Sequence, residues 1–346
     1  MNSIYNYTLD ELKNRMVELG EKPYRALQIF EWLYRSRVSS FEEMTNISKK
    51  SIDKLKENFT IDILEIDKLQ ISKDGTRKYL FKLKDGNFIE SVLMRHNYGN
   101  SVCVTSEIGC NMGCSFCASG ELGCIRRLTL SEMVLQVLTI QKDLDKEKER
   151  ITNVVVMGIG EPFDNYDVVT SFCRVINYPK GLEIGARHIT ISTCGIVPKI
   201  KEFADFDLQV NLALSLHAPN NALRSQLMKI NKAYPLEEVM EALKYYYQKT
   251  SRRITFEYIL LDGVNDSKEC AYELCELIKG MNAYVNLIPY NEVSTKPFKT
   301  TNHEKAESFF SIIHHHQISV TLRMEHGGDI DAACGQLRAK RMKNDL

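Results

Sequence analysis

Apolar residues recur at helical spacing through the first sixty positions of the chain. Thr8 and Glu11 form a capping box, a pattern that begins many helices, ahead of a first amphipathic segment. Pro23 suits the first position of a second helix, whose apolar stripe extends to about residue 37. Two shorter helices are expected at 41–46 and 49–58. Residues 1–60 are therefore predicted to form a helical N-terminal domain.

The hydrophobic period then changes from helical to alternating. The pairs at 74–75 and 85–86 are both Asp-Gly, which is a strong signal for a hairpin turn. Between them Tyr79, Phe81 and Leu83 occupy every second position, as on one face of a strand. A three-stranded antiparallel meander is therefore predicted over about 62–94, within a linking domain that covers 61–96.

Strands and helices alternate from about residue 101 onward. A helix at 131–144 follows a second capping box, formed by Thr129 and Glu132. Repeated strand–helix units predict a parallel sheet, either open or curled into a barrel, with reactive groups at the carboxyl ends of its strands. The predicted strands are 102–108, 153–157, 188–192, 209–216, 254–260, 283–288 and 318–322.

Composition narrows the class of protein. The 346 residues include 45 Lys and Arg against 45 Asp and Glu, so no overall positive charge indicates nucleic-acid binding. Four basic residues near the C-terminus form either a local basic patch or a solvated tail: Arg338, Lys340, Arg341 and Lys343. No apolar run approaches the ~20 residues of a membrane span, and the first residues lack a signal-peptide pattern. We therefore expect a cytoplasmic protein without a membrane partner.

Three of the ten cysteines form the sharpest chemical signal. Cys110, Cys114 and Cys117 make a CxxxCxxC run, and in a chain of this kind reduced thiols are expected rather than disulfides. Three thiolates in one loop fit a 4Fe-4S cluster that keeps one iron open. A structural zinc site normally needs a fourth ligand, for which Cys124 is a more distant candidate. Buried cysteines without any metal are the remaining alternative.

Small and polar residues at later strand ends are candidate cofactor contacts. Glycines at 158 and 160 allow close backbone approach, and Glu161 can accept from an ammonium group, although an ordinary strand-to-helix turn explains them too. Cys103 and Cys334, taken alone, fit small buried apolar residues. Other polar residues at strand ends are individually typical of caps or turns, namely Ser192, Ser215, His217 and Asn291.

Several segments together resemble one enzyme family. The cysteine run is similar to that of the radical S-adenosylmethionine (SAM) superfamily. Four further segments resemble the radical methyltransferases that modify carbon 2 of adenine in 23S rRNA and, in most members, in tRNA. These segments are 74–78, 157–162, 215–219 and 329–337. The resemblance implies an α/β fold, with a radical SAM partial (β/α) barrel at 97–325. The helical domain and the small antiparallel β domain precede this barrel, and a C-terminal segment at 326–346 follows it.

The resemblance implies a specific activity and specific cofactors. The enzyme would methylate carbon 2 of an adenosine in the peptidyl transferase centre of 23S rRNA, and the adenosine just 3′ of the anticodon in tRNAs. It would use a 4Fe-4S cluster bound by Cys110, Cys114 and Cys117, and two SAM molecules per turnover. Its other partner would be an electron donor such as flavodoxin or ferredoxin. A monomer is expected, which grips RNA through the N-terminal helices, the meander and the basic tail.

The resemblance also assigns roles to single residues. Cys334 would carry the methyl group, Cys103 would form a transient disulfide with it to release product, and Glu90 would accept the proton of the adenine ring. Carbon 2 of adenine is electron-poor and does not attack a methyl sulfonium, so a carbon radical formed on the methyl of Cys334 would add to it instead. The cofactor contacts carried over are Gly160, Glu161, Ser192, Ser215, Leu216, His217 and Asn291.

The chain departs from the family pattern in two places, and three alternative functions remain open. Residues 105–107 are Thr-Ser-Glu where Ser-Ser-Gln is common, and 126–128 are Arg-Arg-Leu where Arg-Asn-Leu is common. A related enzyme methylates carbon 8 of the same adenosine and confers antibiotic resistance, but the segments 160–162 and 336–340 favour carbon 2. A non-catalytic zinc-bound RNA-binding protein would have no role for Cys334. A radical enzyme acting on a small molecule would leave the N-terminal domain unexplained.

Overall fold

The computed structural model describes residues 1–121, 123–323, 327–330 and 332, and its N-terminal part is helical. A parallel pair of two-residue strands joins the two ends of this part. The predicted capping box is confirmed, since the side chains of Thr8 and Glu11 each bond the other's backbone N–H. The elements are β1 (Asn2–Ser3), α1 (Leu9–Glu18), α2 (Tyr24–Glu31), α3 (Lys49–Asn58) and β2 (Phe59–Thr60).

One of the predicted N-terminal helices is wrong. The segment 41–46 contains only a single 3-10 turn, Phe41–Glu43, because Met44 leaves helical conformation and Ser48 already caps α3. The predicted end of the second helix is confirmed. It continues beyond α2 through a π-helical turn, Trp32–Ser36, and stops at Arg37, whose φ of 57° lies in the left-handed region.

The antiparallel meander is confirmed. Its strands are β3 (Glu65–Ile71), β4 (Arg77–Lys82) and β5 (Phe88–His96). Gly75 and Gly86 have φ values of 83° and 84°, as the two Asp-Gly turns require. The meander does not stand apart from the rest of the sheet, because β5 pairs with the strand that follows it.

The strand predicted at 102–108 is divided in two. Its first part extends the main sheet, whereas its second part forms a separate hairpin. The chain leaves the sheet because the N–H groups of Ser106 and Glu107 both bond the carbonyl of Ile159, in the loop after the next parallel strand. The elements are β6 (Gly99–Cys103), β7 (Glu107–Gly109) and β8 (Cys124–Arg127).

Parallel strands follow in chain order, each crossing over through a helix or loop. The main sheet runs β3-β4-β5-β6-β9-β10-β11-β12-β13-β14, so the strand order never reverses as it would in a doubly wound fold. β3 and β14 remain as edges, which makes the barrel partial. The elements are α4 (Leu130–Asp145), β9 (Ile151–Val156), α5 (Tyr166–Asn177), β10 (Ile189–Thr193), α6 (Val197–Phe203), β11 (Asn211–Ser215), α7 (Asn221–Leu227), α8 (Leu236–Thr250), β12 (Ile254–Leu260), α9 (Lys268–Leu277), β13 (Ala283–Pro289), α10 (His303–His315) and β14 (Ser319–Leu322). Within the described residues, no helix is long and apolar enough to cross a membrane.

The buried side chain of Gln136 fixes α4 to the end of β6. Its amide oxygen accepts from the N–H of Thr105 at 2.8 Å and from the hydroxyl of Ser91 at 2.7 Å, and its amide nitrogen donates to the Thr105 carbonyl at 3.0 Å. We expect Gln136→Leu to lower the free energy of unfolding by roughly 3 kcal/mol, because buried backbone groups of Thr105 lose their partners. Urea unfolding checks this, with the exposed Gln226→Leu as a control that should change stability by less than about 0.5 kcal/mol.

Candidate active site

A cavity of about 880 Å³, including the part open to solvent, lies at the carboxyl ends of the parallel strands. The three thiols of the cysteine run and several polar strand-end residues share its wall, as expected for the site of a parallel α/β fold. The sequence-predicted residues on this wall are Cys110, Cys114, Cys117, Gly160, Glu161, Ser192, Ser215 and His217. Leu216 and Asn291 are buried and do not belong to the described wall.

The cysteine loop is held open between a hairpin and a helix. The N–H of Cys110 bonds the carbonyl of Gly123 at 3.1 Å, and the N–H of Ser115 bonds the carbonyl of Leu227 at the end of α7 at 2.9 Å. Gly109 has a φ of 78°, and a Cβ added there would lie 1.8 Å from the Gly123 oxygen, so only glycine fits. The hairpin thus sets where the first thiol enters the cavity.

The donor set fits an iron–sulfur cluster chemically. Burial raises the pKa of the Cys114 thiol to about 12, and it raises the pKa of the Cys110 thiol well above its ordinary value. A positively charged iron centre would stabilise the thiolates that burial disfavours. Among the described residues, no group of three His, Cys, Asp or Glu side chains is arranged to hold a single metal ion. The assignment as cluster ligands therefore rests on the loop, the shared cavity and the motif.

The loop after β9 places Glu161 on the cavity wall. Its carboxylate is buried and accepts from the N–H of Cys194 at 2.8 Å and from the N–H of Phe163 at 3.0 Å. Burial raises the pKa of Glu161, while these two backbone bonds favour its charged form. Gly160 has a φ of 106° and lies against the side chain of Glu107, so a larger residue would not fit.

Polar residues at the ends of two neighbouring strands, β10 and β11, lie side by side on the cavity wall. The hydroxyls of Ser192 and Ser215 are 3.1 Å apart. His217 has a φ of 57°, and its Nδ1 accepts from the N–H of Ile259 at 3.1 Å, which leaves the ring proton on Nε2. Burial lowers the pKa of His217 to about 3, so the ring is neutral at physiological pH and can donate one hydrogen bond.

Three residues of this site escaped sequence reasoning. Arg224, on α7, is fully buried and donates to the carbonyl of Cys194 at 2.6 Å, which ties two wall segments together. Glu257 lies on the wall beside Ser215, and burial raises its pKa to about 6. A carboxylate in the apolar strand β12 was the available signal for Glu257, whereas nothing in the local pattern marks Arg224 or Cys194.

A second group of candidate residues lies between the meander and β6. Cys103 pairs in register with Val92, and Glu90 lies two residues from Val92 on the same face of the sheet. Glu90 is 4% exposed, and its Oε1 is 3.5 Å from the buried Nζ of Lys78. Glu90 is therefore a buried carboxyl group and not a surface one. Strand β5 is covered on both faces, with six consecutive buried residues from Ile89 to Met94.

The C-terminal segment reaches this second group. Ala332 packs in the apolar cluster of Cys103, which also contains Met94 and Ile159. The hydroxyl of Ser72 donates to Asp329 at 2.5 Å, so the segment 327–330 is anchored on the first turn of the meander. Cys334 and the basic residues Arg338, Lys340, Arg341 and Lys343 lie outside the described residues.

Met157 connects the two groups of residues. It lines the thiol cavity and also packs against the cluster that contains Cys103. The carbonyl of Glu90 accepts from the hydroxyl of Thr105, whose Oγ1 in turn accepts from the N–H of Ile159. The thiol cavity and the Cys103–Glu90 group are thus built on adjoining residues of the same strand ends.

The open barrel and the three-thiol cavity define a radical SAM enzyme, and comparisons with known proteins agree. Residues 107–275 match the family described as the Radical SAM superfamily, and residues 2–61 match the ribosomal RNA large subunit methyltransferase N-terminal domain. A crystal structure of a radical SAM methyltransferase from Sphaerobacter thermophilus superposes with a TM-score of 0.93 and 42% identity, over 98% of this chain and 100% of that chain.

Curated relatives narrow the class further. Proteins named "Probable dual-specificity RNA methyltransferase RlmN" are 57% identical in Geobacillus kaustophilus (strain HTA426) and 54% identical in Bacillus subtilis (strain 168). Both alignments cover 99% of this chain and 94% of the relative. The chain belongs to the RlmN family of radical SAM RNA methyltransferases. This confirms the predicted family, fold and enzyme class, and it does not support a non-catalytic zinc protein.

Proposed function

We propose that this enzyme methylates carbon 2 of an adenosine in the peptidyl transferase centre of 23S rRNA, and the adenosine just 3′ of the anticodon in tRNAs. The observation that carries the proposal is the adjacency of the thiol cavity to the buried Cys103–Glu90 group, linked through Met157. Relatives above half identity are named dual-specificity RNA methyltransferases, which supports action on more than one RNA substrate.

Three cysteines would hold the cofactor that starts the reaction. Cys110, Cys114 and Cys117 are assigned to a 4Fe-4S cluster with one iron left open, and the neighbouring wall residues are assigned to SAM. When bound, the cluster and two SAM molecules per turnover supply an electron, a methyl group and a hydrogen-abstracting radical. A one-electron donor such as flavodoxin or ferredoxin would supply the electron to the cluster.

The wall residues offer complementary groups to each part of SAM. The Glu161 carboxylate, beside Gly160, suits the ammonium group of the methionyl part. The linked hydroxyls of Ser192 and Ser215 and the single donor of neutral His217 suit hydroxyl, carboxylate and ring-nitrogen acceptors. Leu216 and Asn291 are carried over from the family as further contacts.

The second group would complete methyl transfer. Cys334 carries the methyl group to carbon 2, and Glu90 then removes the ring proton, because the adduct must lose that hydrogen to restore the aromatic ring. The ammonium group of Lys78 lies 3.5 Å from the Glu90 carboxylate and forms an ion pair with it. Cys103, as a thiolate, attacks the sulfur of Cys334, so the bond between that sulfur and the transferred carbon breaks, the released carbon takes up a proton to become the methyl group, and a transient disulfide forms. The electron that started the radical route leaves to the one-electron carrier, and an external thiol reductant would reduce the disulfide before the next turnover.

The remaining parts of the chain are assigned to substrate handling. Residues 1–60 and 61–96, with the basic end of 326–346, are proposed to grip RNA, while 97–325 carries the chemistry. An adenosine in folded RNA must be splayed out before buried groups can reach its base, which favours unstacked loop positions. The enzyme is proposed to act as a monomer.

Identification of the modified nucleoside tests this proposal. Cluster-reconstituted protein would react anaerobically with SAM, a reductant and either unmethylated 23S rRNA or unmethylated tRNA, followed by digestion and mass spectrometry. We expect 2-methyladenosine from both RNAs. 8-Methyladenosine would place the enzyme with the resistance methyltransferases, and 2-methyladenosine from rRNA alone would remove tRNA from the proposal.

A further inference from the structure

Glu107 is a fully buried carboxyl group that the chemistry above does not use. It lies on β7, directly against the loop that carries Gly160 and Glu161. Its Oε2 accepts from the N–H of Glu161 at 2.9 Å, and its own N–H bonds the carbonyl of Ile159 at 3.2 Å. Side chain and backbone of Glu107 therefore both shape the 158–161 loop, which the proposed function assigns to SAM.

The second oxygen of Glu107 needs a different partner. Glu107 Oε1 is buried, and none of the described residues provides it with a hydrogen-bond donor. The Glu107 side chain lies close to the thiol of Cys124 and to the carboxyl group of Asp164, which accepts from the guanidinium of Arg127 at 2.8 Å. Two carboxylates in contact repel each other, whereas one shared proton makes a strong O–H···O⁻ bond between them. Because the Asp164 carboxylate already has an ion-pair partner in Arg127, we place the shared proton on Glu107.

The charges around Glu107 favour the same protonation state. Burial raises the pKa of Glu107 to about 8, and the nearby carboxylates of Asp164 and Glu161 add to this, against the opposing effect of the Glu161 N–H. Electrostatic interactions also link Glu107 with the thiols of Cys110 and Cys124 and with the guanidinium of Arg127. At neutral pH the neutral form therefore prevails.

We propose that Glu107 is a positioning residue of the cofactor loop, whose protonated carboxyl group donates a hydrogen bond to Asp164 and accepts one from the N–H of Glu161. A protonated carboxyl group offers one donor and one acceptor, as does the glutamine side chain that is common at this position in the family. Loss of the proton would set two carboxylates against each other and release the loop. Only the loop's role in holding SAM rests on the proposed function; the protonation state does not.

The pH dependence of stability tests the proposal. The pKa of Glu107 in the folded protein lies above its ordinary value of 4.5. The stability it contributes is therefore complete below that value and is lost as pH rises to about 8. We expect the melting temperature of Glu107→Gln, relative to that of the wild-type holoenzyme, to rise steadily from pH 5.5 to pH 8 and to change little above that pH. The exposed Glu57→Gln should follow wild type. A difference between Glu107→Gln and wild type that stays constant with pH would overturn the proposal.

Two further measurements test the proposal even if Glu107→Gln fails to fold. They also distinguish the protonation of Glu107 from the proposed function. Wild-type protein at pH 6.5 should show the infrared carbonyl band of a buried protonated carboxyl group, and Glu107→Gln should lose it; a wild-type spectrum without the band would refute the protonation. SAM affinity of wild type should fall about tenfold between pH 6.5 and 9, and that of Glu107→Gln should not. Absence of SAM binding at any pH, with the melting difference intact, would refute the proposed function but not the protonated Glu107.

Discussion

Replacing Cys114 with serine is expected to reduce RNA methylation by about 10³-fold or more, because a thiolate ligand is lost and the electron-transfer step fails. The purified variant should lose the brown colour of the cluster and should form no 5′-deoxyadenosine from SAM under reducing conditions. Iron and sulfide analysis with visible absorption would check the first effect, and chromatography of the SAM products would check the second.

Cys270→Ser is the matched control for this substitution. Cys270 lies on α9 and is not among the residues of the cavity wall, so this variant should keep its cluster and its activity within about twofold. A Cys114→Ser protein with an intact cluster and undiminished activity would contradict the ligand assignment. A Cys270→Ser protein without a cluster would show that the method of reconstitution, rather than the ligand, is at fault.

Replacing Glu90 with glutamine is expected to slow product formation by about 10²–10⁴-fold, the range for loss of a general base. The steps before proton removal do not need this carboxylate, so 5′-deoxyadenosine should still form. RNA should then remain covalently attached to the protein, and a slower-migrating band on a denaturing gel would reveal it. The exposed Glu65→Gln on the neighbouring strand β3 should behave as wild type.

Substitution of Lys78 distinguishes a catalytic role of the Lys78–Glu90 ion pair from a structural one. In Lys78→Gln the buried carboxylate of Glu90 loses the ammonium group that lies 3.5 Å away, so product formation should slow by about tenfold while 5′-deoxyadenosine still forms. Lys78→Arg should restore most of the wild-type rate. An unchanged rate in Lys78→Gln, with normal folding, would mean that the ion pair supports the sheet and not the proton transfer.

Local patterns predicted the elements better than their pairing. The capping boxes, the Asp-Gly turns and the alternation after residue 101 depend on neighbouring residues, and the structure follows them. The division of 102–108 depends on bonds from Ser106 and Glu107 to a loop fifty residues away, which no local pattern contains. The same is true of the pairing that joins β5 to β6.

Site residues that belong to a recognisable motif could be predicted from the sequence. Those that only the tertiary structure brings together could not. Cys110, Glu161 and Ser192 lie at strand ends or in a distinctive run, so their position could be anticipated. Arg224 stands in an ordinary helix and becomes part of the site only because α7 packs across the cysteine loop. Glu107 differs from the family's glutamine by one atom, and its importance is visible only beside Asp164 and Glu161.

The fate of a deuterated methyl group tests the central claim, that the methyl group reaches carbon 2 through a radical on Cys334. The enzyme would turn over anaerobically with SAM carrying a trideuterated methyl group, and mass spectrometry would count the deuterium in both products. The account predicts 2-methyladenosine with two deuterium atoms and 5′-deoxyadenosine with one, since one hydrogen is removed from the methyl group before it bonds to carbon. A product methyl group that retains all three deuterium atoms would indicate direct transfer from SAM and would contradict the proposed route.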